Sequence, residues 1–194
     1  MLSGAVSGRL SVALHAVIGG YPLSDRVVGP LRHSRQPLTD GLRALQLAAT
    51  AVDSAAPPAA LAALDAAAAY LNATFLPAAA AEEFTLYIAV DGLYGAIDAT
   101  GVMRVQHATI RAMAGDLDKV VTAARADTGP AAYREYLLPL LHGLYALIRA
   151  HLEAEDDVYL ALLDDHVSES QVGVIVDNIE RIVSARREAS TARP

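Results

Sequence analysis

His151 and Glu155 stand four residues apart in the stretch Arg149-Ala150-His151-Leu152-Glu153-Ala154-Glu155. On a helix that spacing puts both side chains on one face, with Cβ atoms about 6 Å apart and within reach of one metal centre. Imidazole and carboxylate are donors that iron and zinc accept. A surface ion pair has the same spacing, so the motif acquires weight only from its surroundings. The chain has no cysteine, which removes disulfides, thiolate metal sites and nucleophilic thiols. Any metal must therefore be held by histidine and carboxylate.

The elements that would position such a site are helical. The 194 residues suit one domain; they are 54% hydrophobic but only 5% aromatic, and rich in Ala and Leu, which favour helix over strand. Punctuation by Gly, Pro and Asp separates five predicted helices at Ser24–Asp53, Pro58–Asp91, Ala99–Ala126, Ala131–Asp165 and Ser168–Arg187. Proline opens the second after Ala55-Ala56-Pro57, Asp127-Thr128-Gly129-Pro130 precedes the fourth, and Ser168-Glu169-Ser170-Gln171 resembles a capping box. Pro77 and Pro139 should kink or restart the helices that contain them. Short connections between long helices imply antiparallel neighbours. The expectation is an all-α, up-down four-helix bundle over residues 24–187, with an N-terminal arm (1–23), a C-terminal fifth helix and a flexible tail (188–194).

A shift of about 73 residues lays the first helix pair on the second. It carries Ala81-Glu82-Glu83-Phe84-Thr85-Leu86-Tyr87 onto Ala154-Glu155-Asp156-Asp157-Val158-Tyr159-Leu160 and Asp91 onto Asp164. Within one residue it also carries His33 onto His107. Two similar helix hairpins packed face to face would direct His33, Glu82, His107 and Glu155 toward the bundle axis, where helical bundles place their metals. Glu82 and His107 lie in apolar helical surroundings and would be costly to bury unpaired, a cost that shared ligation removes.

From about Val28 to Asp165 the sequence resembles the actinobacterial branch of the hemerythrin-like HHE family. The phrases that carry the resemblance are Phe75 to Tyr87, Gln106-His107-Ala108-Thr109-Ile110 and Leu144 to Glu155. The family pattern is a histidine, a His-x-x-x-Glu, a second histidine and a second His-x-x-x-Glu. The resemblance thereby implies ligand roles for His33, Glu82, His107, His151 and Glu155, with the glutamates able to bridge two irons. The remaining ligand would be the histidine four residues before Glu82, but that position is Ala78, which has no donor. Three outcomes stay open: an asymmetric or partly occupied dinuclear site, a mononuclear iron or zinc site, or a metal-free bundle. The resemblance implies a non-heme iron protein that binds or reacts with dioxygen, peroxide or nitric oxide, and an iron-dependent oxidoreductase if it is an enzyme. A regulatory bundle using the pocket at Ala78 for an organic ligand such as heme, and a mononuclear iron enzyme of specialised metabolism, are the alternatives.

Tyr159, one turn beyond Glu155, either approaches the site as ligand or hydrogen-bond donor or is a core tyrosine satisfied elsewhere. His142 is rotated about half a turn from His151, His166 suits the C-terminal end of its helix, and His15 has no evident partner. Asp156, Asp157, Asp164 and Asp165 lack the alternating spacing and glycine of a calcium loop. A formal charge of −7 leaves no basic stripe for nucleic acid. Leu10 to Ile18 is too short and too poorly flanked for a signal peptide, and Pro77, Glu82 and Glu83 interrupt the longest apolar run, so no membrane span is expected. No nucleophile elbow or phosphate-cradling glycine loop is present. The expected setting is the cytoplasm, as a monomer or homodimer.

Overall fold

The computed structural model describes residues 27–95, 98–126 and 129–191, and among them there is no strand. The expected arm at 1–23 and the first residues of the predicted first helix lie outside the described residues. The elements are α1 (Gly29–Ser54), α2 (Pro57–Tyr70), a π turn (Leu71–Phe75), α3 (Leu76–Glu83), α4 (Leu86–Tyr94) and α5 (Gly101–Ala126). After a 3-10 turn (Pro130–Tyr133) come α6 (Arg134–Ala154), a second π turn (Glu155–Leu160), α7 (Ala161–His166) and α8 (Glu169–Thr191). Helix α1 packs on α2 and α6, and α5 packs on α2 and α6, which closes a four-helix ring. Helix α8 lies across α3 and α1 as the fifth helix; it runs through Thr191, four residues past the predicted end at Arg187.

The apolar stripes explain the ring. Helix α1 buries Leu31, Leu38, Leu42, Leu45, Ala49 and Val52, and α5 buries Met103, Ile110, Ala114, Leu117, Val121 and Ala124, at the helical three-and-four spacing. A shift of 72 residues carries each member of the first set onto its partner in the second. The starts of the two helices are matched as well. Asp91 accepts from Thr100 N at 2.9 Å, and Asp164 accepts from Val28 N at 3.2 Å, so equivalent carboxylates cap equivalent backbone. The two-hairpin repeat read from the sequence is therefore built into the packing.

Prolines act less disruptively than expected. Pro77 enters at the start of α3, where the preceding π turn absorbs its missing N–H; Pro139 is accommodated inside α6. The resulting helical run Pro57–Tyr94 is, by length and composition alone, apolar enough to cross a membrane, contrary to expectation. Its inward stripe of Leu64, Ala67, Leu71 and Phe75 packs in the core of the bundle. Ser168 and Gln171 form the expected capping box, with Ser168 N donating to Gln171 Oε1 at 2.9 Å and Gln171 N to Ser168 Oγ at 3.4 Å. A close approach fixes Gly41: a Cβ there would lie 2.1 Å from the ring of Tyr70, whose hydroxyl donates to Leu38 O at 2.7 Å.

Two apolar clusters fill the bundle, one running from Leu38 to Leu152 and the other joining Val28, Leu31, Ala81, Tyr87, Met103 and Leu160 to α8. The buried polar residues Arg35, Glu82, His107, His151 and Glu155 come from the stretches of chain where these clusters meet.

Candidate metal centre

Each half departs from regular α-helix at its glutamate. Helix α3 ends at Glu83, one residue past Glu82, and the chain breaks at Phe84–Thr85; α6 gives way to a wide π turn that begins at Glu155. One ligand-type atom from each of Glu82, His107, His151 and Glu155 lies within 4.8 Å of the others, and all four residues are buried. His107 Nε2 and His151 Nε2 are 2.9 Å apart. His107 Nε2 is 3.7 Å from Glu82 Oε2, and His151 Nε2 is 3.4 Å from Glu155 Oε2. Metal–nitrogen bonds of roughly 2.0–2.1 Å put neighbouring ligand atoms roughly 3–3.4 Å apart, so this donor set fits a shared ion.

The rings are held from behind. His107 Nδ1 lies 3.0 Å from Glu83 Oε1, and His151 Nδ1 lies 2.9 Å from Gln106 Oε1. Both oxygens can only accept, so both Nδ1 atoms carry the proton and both Nε2 atoms present lone pairs to the centre. Burial pushes His107 down to about 4, assisted by His151, and it pushes His151 down to about 3, assisted by the Arg35 charge. Both imidazoles are neutral at pH 7. Phe75 meets the two rings edge-on at 6.2 and 6.0 Å between centroids.

Two residues that the sequence did not single out complete the cluster. Arg35, on α1, points inward and is buried: its guanidinium pairs with Glu155, lies 3.3 Å from Asp156 Oδ1 and sets Nε 3.4 Å from Glu82 Oε1. Arg35 Nε and Glu82 Oε1 have no hydrogen-bond partner among the described residues. Burial opposes the guanidinium charge, but Glu155, Glu82 and Asp156 together outweigh it and raise the Arg35 pKa further. Tyr87, on α4, donates through Oη to Glu155 Oε1 at 2.5 Å, sits 3.2 Å from His107 Nε2 and stacks on that ring at 5.4 Å. Burial raises its phenol, and the carboxylates of Glu155 and Glu82 add to the effect. Burial likewise raises Glu82 to about 8, assisted by Glu155 and opposed by Arg35. Asp156 connects the cluster to solvent, since it also lines an open groove of about 640 Å³ with Thr39, Leu42, Arg43 and Tyr145.

The structure corrects one expected ligand and decides between the two readings of Tyr159. His33 is exposed on α1 and does not join the cluster; Arg35, two residues on and therefore about 200° around the helix, faces the centre instead. Tyr159 does not reach the donors either: its hydroxyl donates to Ala99 O at 3.3 Å, and its ring backs that of Tyr87 at 6.3 Å. Ala78 is half-buried beside the core and offers only a methyl group. His142 is exposed, as is His166, whose Nδ1 donates to Leu162 O at 2.9 Å.

No curated protein and no solved structure matches the chain. The family description "Hemerythrin HHE cation binding domain" matches it over residues 31–163, the stretch that contains every member of the buried cluster. With a helical bundle, two inward glutamates and two inward imidazoles in that stretch, the chain belongs to the hemerythrin HHE cation-binding domain family.

Proposed function

We propose that the protein holds a metal ion, with iron the first candidate, between Glu82, His107, His151 and Glu155, and that a small oxidant such as dioxygen, peroxide or nitric oxide is its reactant. The observation that carries this reading is the pair of bare Nε2 atoms 2.9 Å apart, each with its Nδ1 proton committed to Glu83 or Gln106. Two lone pairs at that distance repel, and a shared Lewis acid turns the repulsion into ligation.

Bound iron would supply a redox couple for such an oxidant. The rest falls to the chain. Glu83 and Gln106 fix both tautomers and ring planes, which keeps the donors aimed at one point. Tyr87 holds its proton on Glu155 Oε1, 3.2 Å from His107 Nε2, where it stands beside the centre. Phe75, edge-on to both rings, keeps that side of the imidazoles apolar. A cysteine-free chain suits a cytoplasmic setting, which belongs to the same proposal.

Metal analysis with an absorption spectrum of protein from iron-supplied cells tests the reading. Wild type and the exposed-site variant His142→Ala should retain metal, and His151→Ala should fall to background. Equal metal in the two variants would refute the assignment.

A further inference from the structure

The 72-residue shift that superimposes the apolar stripe of α1 on that of α5 also carries Arg35 onto His107. The 73-residue shift that carries Glu82 onto Glu155 carries Ala78 onto His151. The first half of the centre has thus lost both imidazoles and keeps one carboxylate, while the second half keeps two imidazoles and one carboxylate. In the place of the first missing imidazole stands a group with five N–H donors, a permanent positive charge and no lone pair with which to ligate.

Arg35 does what a cation at that place would do. Among the described residues it is the one side chain that contacts both buried glutamates as an ion pair, and its own side chain is 7% exposed. With neutral imidazoles, and with Glu82 giving up its proton on ligation, Glu82, Glu155, Asp156 and Arg35 give a net charge of −2. One divalent ion neutralises it; a second would bring it to +2 inside a dehydrated cluster, where uncompensated charge is strongly disfavoured.

We propose that Arg35 is a resident cation filling the half of the centre where a second metal ion would otherwise sit, so that the protein's capacity is one ion per chain, held on the side of His107, His151 and Glu155. The inference rests on the metal reading above and adds the stoichiometry and its cause.

Equilibrium dialysis of metal-free full-length protein against ferrous ion without oxygen, with zinc as a redox-silent check, reads ions per chain directly. Wild type should take up one. Ala78→His alone should still take up one, because Arg35 remains; Ala78→His with Arg35→His should take up two. Two ions in wild type, two in Ala78→His alone, or one in a folded double variant would each overturn the role given to Arg35. No uptake by wild type would instead overturn the metal reading itself, and the capacity of one with it. If the double variant fails to fold by circular dichroism, the wild-type and Ala78→His values decide between one ion and two.

Discussion

The hairpin ending in α7 presents His107, His151 and Glu155 to the centre, while the hairpin ending in α4 presents Arg35, Ala78 and Glu82 from matching places. What anchors the helices is the same in both: Asp91 and Asp164 cap equivalent helix starts, and the apolar stripes of α5 and α1 keep one register. What differs is the donor chemistry, with a local backbone that breaks at Phe84–Thr85 in one half and opens into a π turn at Glu155 in the other. Packing and capping hold the bundle whatever faces its axis, so the inward positions can exchange imidazole for guanidinium or methyl without dismantling the fold. The exchange still has an energetic signature. Glu155 is engaged by Tyr87 and Arg35, whereas Glu82 Oε1 faces Arg35 Nε at 3.4 Å and has no hydrogen-bond partner among the described residues.

The largest effect that separates the halves should come from Arg35→Met. Removing the guanidinium strands the buried Glu155 carboxylate and takes the only cation from beside Glu82 among the described residues, and breaking a buried pair costs about 3–5 kcal/mol. Denaturant unfolding of metal-free protein should show that loss, and adding Glu82→Gln should recover a clear part of it. A change under about 1 kcal/mol, the scale of exposed pairs, would show that Arg35 does not balance the first half.

A smaller effect belongs to the second half. Glu83 reaches across from α3 to orient His107, so Glu83→Leu should weaken metal binding by about 10- to 100-fold while the fold persists. Calorimetric titration with zinc would measure it. Unaltered affinity would mean that stacking on Tyr87 suffices to hold the ring.

Much of this arrangement is legible in the sequence, and its failures have local causes. The five helices, the capping box at Ser168 and the convergence of Glu82, His107, His151 and Glu155 follow from periodicity and the repeat. His33 is a misleading signal because it matches His107 in residue type only with one residue of slack in the repeat. At 100° per residue, the two-residue step from it to Arg35 turns the chain to the opposite face. The buried leucines Leu31, Leu38, Leu42 and Leu45 carry the correct register, and they put Arg35 inside. Tyr87 had no comparable signal. It lies five residues beyond Glu82, and only the break at Phe84–Thr85 swings it onto Glu155.

The smallest predicted effect tests the comparison through pH, because the two halves titrate with opposite sign. Both imidazoles belong to the second half, and their folded values, about 4 for His107 and about 3 for His151, lie below the ordinary 6.5. The unfolded chain therefore binds more protons below 6.5, and their contribution to stability is lost as pH falls from 6.5 toward those values. Glu82 belongs to the first half, and its folded value of about 8 lies above the ordinary 4.5. Its contribution is present at low pH and is lost as pH rises from 4.5 through 8. Between 4.5 and 6.5 two histidines oppose one glutamate, which leaves a net slope of about one proton, or about 1 kcal/mol per pH unit, with stability rising with pH. From 6.5 to 8 only Glu82 among these groups still titrates, so stability should turn over and fall. Unfolding of chelator-treated protein across pH 5 to 9 should show a maximum near 6.5. Glu82→Gln should abolish the alkaline decline and spare the acid one; if instead both limbs persist in that variant, the two halves are not electrostatically distinct.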